Sequence, residues 1–281
     1  MKRVIAILLL LALFGAATVS AAGKTLKSKK GMCLSTKRRN ADVWFKKVSD
    51  MNVSWHYSWG SALPEEAKEP RGVEFVPMLW GYWGESDKFK QQMTELTVPK
   101  SKSNTEFLLG WNEPDGKRQA NLSVQRALQG WPALMKTNRR LGSPAAAHTH
   151  KKWLQDFMKK AKQKKYRVDF LTLHWYGGAN AENFIKYVKD MHKMYGKPIW
   201  ITEFAVADWK AKSVAKNRHS KESILKFMKA VLPELDKLDF VERYSWFSWD
   251  DPNHKHLGPS SLYDKNGKMT KLGKFYASHK K

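Results

Sequence analysis

Eight short apolar runs recur along this chain, separated by longer stretches of helical period, and few folds accept that rhythm. The runs are GMCLS, VSWHYSW, EFVPMLWG, EFLLGWNE, RRLGSPAAA, VDFLTLHWYG, PIWITEF and VERYSWFSW. Several are almost unbroken in apolar residues, as expected of parallel strands covered on both faces. Their shortness and aromatic content favour strand over helix. The stretches between them are amphipathic. AENFIKYVKDMHKMYG brings Phe184, Val188, Met191 and Tyr195 to one face, keeps Lys186, Lys189 and Lys193 off it, and ends at Gly196, where a helix C-cap is expected. THKKWLQDFMKKAK repeats the design, with Thr149 as the expected N-cap and Trp153, Leu154, Phe157, Met158 and Ala161 toward the sheet. KESILKFMKAVLPELDKL does so through Leu225, Met228, Val231, Leu232 and Leu235, with Pro233 expected to kink or break the helix. ADVWFKKVSDM and SVQRALQGWPALMKT read as shorter helices.

The first 22 residues stand outside this pattern. Lys2 and Arg3 precede an apolar core that ends in Ser20, Ala21 and Ala22, the layout of a cleaved secretory signal. The core is short for a membrane span of ~20 residues. Residues 23–281 are therefore expected to be the mature chain, secreted to the extracellular space or periplasm, with 23–30 disordered. Removing 22 of the 281 residues leaves 259, about 32 for each of eight strand–helix units. That suits one α/β domain of the (β/α)8 TIM-barrel type, which takes ~250 residues. A doubly wound open sheet competes, but no glycine-rich nucleotide fingerprint follows the first strand. Cys33 is the only cysteine, which excludes an internal disulfide, so stability must come from the core. The net charge of +25 falls to +23 without Lys2 and Arg3. Charge of this size bears on solubility and partners rather than on fold. Its clusters, such as KKAKQKK and KAKSVAKNR, read as a solvated lysine-rich surface or as an attraction to an acidic surface. No nucleic-acid-binding module accompanies them. A monomer without membrane contact is expected once the signal is removed.

Two of the apolar runs end in glutamate. GWNEPDG follows EFLLGW, and PIWITEFAVADW runs into Glu203 between Thr202 and Phe204. In a (β/α)8 barrel the reactive side chains sit at the C-terminal ends of strands. Glu113 ends the fourth run and Glu203 the seventh, so both are expected to open onto one rim. Two carboxylates facing each other there can hydrolyse a glycosidic bond, one giving a proton to the leaving oxygen and the other, ionised, attacking the anomeric carbon. Asn112 is placed to bond a sugar hydroxyl beside the reacting carbon. Pro114 is expected to hold Glu113 in extended backbone and so fix its direction. Trp80, Trp175 and Trp246, each near a strand end, offer flat faces for sugar rings. His174 and Tyr176 are candidates to hold Glu203 ionised or to donate to substrate.

Other groupings carry less. His148 with His150, and His254 with His256, each place two histidines on one side of an extended chain, but a zinc site needs further ligands; no metal or other cofactor is expected. Asp250 and Asp251 read as caps of the turn before Pro252. Cys33 has no evident base partner. Asn266-Gly267 reads as a turn.

LLGWNEPD, LTLHWYG and WITEFAV, in this order and spacing, resemble glycoside hydrolase family 128, within the clan of retaining barrel glycosidases. The resemblance runs from about Gly31 to Trp249. It implies endo-hydrolysis of β-1,3-glucan with retention of configuration, Glu113 as acid/base and Glu203 as nucleophile. A hydrolase of another β-glycan, such as β-1,4-glucan or mannan, and an inactive glycan-binding barrel are the alternatives.

Overall fold

Every quoted apolar run contains one strand. The computed structural model describes residues 28–36, 41–64, 70–97, 105–248 and 251–280. Its elements are β1 (Lys30–Cys33), α1 (Ala41–Asp50), β2 (Trp55–Tyr57), β3 (Glu74–Phe75), α2 (Asp87–Thr97), β4 (Phe107–Leu108), α3 (Val124–Met135), β5 (Arg140–Leu141), α4 (Lys152–Gln163), β6 (Leu171–Gly177), α5 (Ala181–Tyr195), β7 (Ile199–Val206), α6 (Lys221–Lys237), β8 (Val241–Phe247) and α7 (Lys271–Ser278). Strands β3-β2-β1-β8-β7-β6 form one sheet and β4-β5 a second. Parallel bridges Met78–Leu109 and Gly142–Phe170 join the two, so the strands close into a ring in chain order. The outcome is the α/β barrel that the spacing of the runs demands.

Alternation along the strands divides the apolar residues between two cores. Trp55, Tyr57, Val76, Met78, Leu109, Phe170 and Trp200 fill the barrel. The larger cluster lies between strands and helices, where Phe184, Val188 and Met191 of α5 and Met228, Val231, Leu232 and Leu235 of α6 are buried. At the floor Arg243 is 1% exposed, sandwiched 4.2 Å from the Trp200 ring and 4.4 Å from that of Phe107, and bonded to Glu74 Oε2 at 2.6 Å. The chain enters beside its own last helices. Lys29 Nζ donates to the carbonyls of Leu235, Asp236 and Leu238 at the end of α6. Lys30 Nζ donates to those of Tyr276, Ala277 and His279 at the end of α7. Cations satisfy carbonyls that a helix C-terminus leaves open. Burial lowers Lys30 to about 8, against the pull of Asp236.

Several local expectations need correction. Disorder over 23–30 does not hold for Lys29 and Lys30, whose ammonium groups are tied down as described. Thr149 is buried, with its hydroxyl on the Ala146 carbonyl; the N-cap of α4 is Lys151, which makes no side-chain capping bond. Pro233 does not break α6, which runs on to Lys237 because Leu232 and Leu235 stay packed on either side of it. α2 and α7 were not anticipated. Gly196 does cap α5, at φ 61°, a left-handed conformation that costs glycine nothing. Gly267 turns at φ 73° beside an antiparallel Tyr263–Met269 bridge. Asp251 accepts from Asn253 N, whereas Trp249 and Asp250, like residues 1–22, lie outside the described residues. No helix among the described residues is long and apolar enough to cross a membrane.

Candidate active site

Glu203 owes its direction to an irregularity in β7. Trp200 points into the barrel, so strict alternation would send Glu203 to the helix side. The register between β6 and β7 shifts, pairing Leu173 with Ile201 but His174 with Glu203. The extra residue, Thr202, turns Glu203 inward beside His174, a common use of a bulge near reactive groups. Glu113 reaches the same mouth from the turn after β4. Its backbone is not extended but left-handed, at φ 41°. Pro114 disfavours the right-handed helical region at the preceding residue, and the left-handed region is what the turn uses: Glu113 N donates to the Ala145 carbonyl while its own carbonyl accepts from Gly116 N. Asp115 locks this turn to the next loop by accepting from the Ala147 and His148 amides. Trp59, after β2, is also left-handed, at φ 60°. Conformations of this kind cost ~1–3 kcal/mol and cluster at functional sites.

The two carboxyl groups are recessed, with side chains 12% and 6% exposed for Glu113 and Glu203. His174, fully buried, lies between them: its Nδ1 is 2.9 Å from Glu113 Oε1 and its Nε2 is 3.5 Å from Glu203 Oε1. Three further groups donate to Glu203. Trp59 Nε1 and Tyr57 OH reach Oε1 at 2.8 and 3.1 Å, and Tyr176 OH donates to Oε2. Bonds of this kind fix the direction of the carboxyl group. Burial, and then the charge of Glu203, push the Tyr57 and Tyr176 phenols well above their usual range, so both stay donors. Burial alone would lower His174, but Glu203 and Glu113 outweigh it and the net shift is upward. The arrangement can keep one carboxylate charged while a proton is held close to the other, as general acid–nucleophile chemistry requires.

Asn112, Glu113, Trp80, His174, Trp175, Tyr176 and Glu203 line one cleft of about 680 Å³. Trp246 does not join them. It is fully buried on the helix side of β8, edge-on to Phe204, with Nε1 on the Ser260 carbonyl. Its even-odd position beside Arg243 and Ser245 sends it outward rather than up. Trp59, Gln119, Tyr187, Trp209 and Phe247 also line the cleft and were not singled out from the sequence. Trp59 and Trp209 lie just past the strand ends of β2 and β7, which was the available signal. His148 and His150 line the cleft from a turn rather than an extended chain. His254 and His256 also sit in turns, with His256 Nδ1 on the Asp208 carbonyl. Among the described residues the one grouping with metal-ligand spacing is Glu113, His174 and Glu203, whose donor atoms lie within 4.8 Å of one another. Glu113 and His174 already bond to each other, and Glu203 accepts from Tyr57, Trp59 and Tyr176.

A family model described as glycosyl hydrolase catalytic core matches residues 31–276. A subgroup I family 128 endo-β-1,3-glucanase from Amycolatopsis mediterranei, crystallised as a glutamate variant with laminaripentaose, is 33% identical, with a TM-score of 0.72 over 89% of this chain and 98% of that one. This chain belongs to glycoside hydrolase family 128. A subgroup V family 128 exo-β-1,3-glucanase from Cryptococcus neoformans is 25% identical, with a TM-score of 0.69 over 89% of this chain and 98% of that one. The Alkali-sensitive linkage protein 1 of Schizosaccharomyces pombe is 28% identical over 80% of this chain, which spans 40% of that protein's length. The family 128 barrel is thus shared by endo- and exo-acting enzymes.

Proposed function

We propose that this chain is a secreted, endo-acting β-1,3-glucanase that retains anomeric configuration. The observation that carries the reading is the Glu113–His174–Glu203 constellation at the mouth of the barrel. A carboxylate oxygen of Glu113 and one of Glu203 approach within 4.8 Å. Retaining enzymes hold their carboxyl groups ~5–5.5 Å apart, and inverting enzymes ~6.5–9.5 Å to admit a water. The three donors on Glu203 suit a nucleophile that must be ionised when substrate arrives. Glu113, whose carboxyl group bonds His174 alone among the described residues, suits the group that exchanges a proton with the leaving oxygen.

In the first step Glu203 attacks the anomeric carbon, the glycosidic bond breaks, and Glu113 protonates the departing oxygen. In the second, Glu113 takes a proton from water, which displaces Glu203 from the glycosyl-enzyme. Asn112, 4% exposed and with Oδ1 lacking a donor among the described residues, is available to the sugar hydroxyl beside the reacting carbon. Trp80, backed by Trp83 at 5.8 Å, extends the cleft as a flat shelf. Endo action and the β-1,3 linkage are supported by the Amycolatopsis relative and its bound laminari-oligosaccharide. Secretion is supported by the charge and hydropathy of residues 1–22.

Reducing-sugar release from laminarin, β-1,4-glucan and mannan tests the reading, with proton NMR of the first anomer formed. Laminarin is expected to be cleaved fastest and to give β-product first. Glu113→Gln and Glu203→Gln should each lose at least ~100-fold, the scale of positioned acid–base chemistry. Full activity in either variant would remove the assigned roles.

A further inference from the structure

The cleft is lined by aromatics and rimmed by charge. Trp59, Trp80, Trp175 and Tyr176 line it from the β2, β3 and β6 sides, with Trp209 and Phe247 beside them from those of β7 and β8. β2 and β3 stand across the ring from β6, and a line drawn between them runs over these aromatics. The loops that flank that line follow β4 and β5 on one side and β7 on the other, and they are basic. Lys117 and Arg118 precede the lining residue Gln119, Lys151 follows His150, and Lys210 follows Trp209, with Lys212 and Lys216 further along the same loop. All six cations are exposed, and among the described residues none pairs with a carboxylate.

The outer helices are arranged differently. There lysines alternate with acids and pair within the helix, as in Lys46–Asp50, Lys152–Asp156 and Lys186–Asp190. The flanking loops contain few acids, and each is occupied. Asp115 is held by two backbone amides, Asp208 is buried against Arg218, and Glu113 is recessed in the site. A neutral β-glucan can accept hydrogen bonds from such ammonium groups but offers no charge for them to attract. Charge of one sign along both sides of a groove instead concentrates an oppositely charged ligand and steers its approach. Lysine, a flexible point charge, suits irregularly spaced acidic groups better than a fixed bidentate contact.

We propose that the substrate met by this enzyme is polyanionic. Its neutral β-glucan backbone threads the aromatic line, and acidic substituents on flanking sugars meet the two basic banks. This rests on the glucanase reading above and names the substrate class for the same cleft.

The test compares neutral laminarin with carboxymethylated laminarin across 20–500 mM salt, with polygalacturonate as a separate competitor. The rim variant carries Lys117→Gln, Arg118→Gln, Lys210→Gln, Lys212→Gln and Lys216→Gln. A control variant removes equal charge from outer helix faces through Lys159→Gln, Lys160→Gln, Lys189→Gln, Lys193→Gln and Lys226→Gln. In wild type, kcat/KM on the anionic polymer should exceed that on the neutral one at low salt, and the advantage should vanish near 0.5 M, where screening is short-ranged. The rim variant should lose about tenfold in the anionic-to-neutral ratio through KM, as expected for association steered by charge, while the control keeps the ratio of the wild type. Equal ratios in the rim and control variants, or a wild-type preference for neutral laminarin at low salt, would overturn the proposal. Competition by polygalacturonate without faster cleavage of carboxymethylated laminarin would overturn it in favour of a separate acidic polymer. Inactivity on neutral laminarin would instead strike the glucanase reading.

Discussion

Replacing Tyr176 with Phe removes one hydroxyl and keeps the ring that packs edge-on against Phe247 and Trp209. That hydroxyl is the one donor to Glu203 Oε2 among the described residues, the other oxygen being served by Tyr57 and Trp59. A hydrogen bond to a charged acceptor contributes ~1.5–3 kcal/mol. On the retaining mechanism proposed above, Glu203 loses its charge on attack and regains it when water displaces it, so the missing donor raises the barrier of the second step. If about half the charge has returned at that transition state, the barrier rises by roughly 0.7–1.5 kcal/mol, or about three- to twelvefold in rate. The first step should not slow in proportion. Rapid-quench kinetics with an aryl β-1,3-oligoglucoside should therefore show an initial aryl burst followed by a lower steady rate. A steady rate within twofold of wild type, with no added burst, would refute the view that this donor stabilises the transition state of the second step.

His174→Gln should change how stability depends on pH. A histidine whose folded-state value is raised lends stability that is complete below its unfolded value of ~6.5 and is lost as pH climbs through the folded value. The gap in melting temperature between wild type and variant should therefore be widest below about pH 6.5 and narrow above it, as thermal melts from pH 5 to 9 would show. Gly273→Ala places a methyl 2.2 Å from the Leu262 carbonyl. Overpacking of this kind costs ~1–3 kcal/mol, readable as a fall in melting temperature of roughly 2–4 °C per kcal/mol. Arg243→Met strips Glu74 of its charged partner at the floor and should cost ~3–5 kcal/mol in urea unfolding, with part of the loss recovered by adding Glu74→Gln.

The strands were legible because a strand covered on both faces has to be apolar almost throughout, and such runs recur eight times here, each followed by room for a helix. The long helices were legible for the matching reason that their stripes are wide. α2 and α7 escaped for different reasons: only Phe89 and Leu96 of α2 are buried, and α7 is only 8 residues long, too short for a helical period to stand out. Glu113 and Glu203 could be found because a carboxylate after an apolar run has few structural uses at a barrel mouth. Their neighbours were harder. Trp246 and Trp175 are alike in sequence position and in parity, both packing against Phe227 on the helix side; Trp246 is sealed there with its indole N–H on the Ser260 carbonyl, whereas Trp175 stays partly exposed at the edge of the cleft. The left-handed turn at Glu113 was misread because the constraint from Pro114 excludes one region of backbone space without choosing between the two that remain. The bonds from Trp59 and Tyr57 to Glu203 join residues some 145 positions apart, and no local pattern announces them.

Lys29 and Lys30 hold the carbonyls at the ends of the last two helices, and they do so on the side of the barrel opposite the cleft. Start and finish of the folded body are therefore neighbours, distant from the chemistry. A fusion partner or resin linkage attached at either extremity would hang behind the molecule and leave its mouth free to travel along a polymer. A circular permutant joining Lys29 to His279 through a short linker, and opened elsewhere, would keep the same working face.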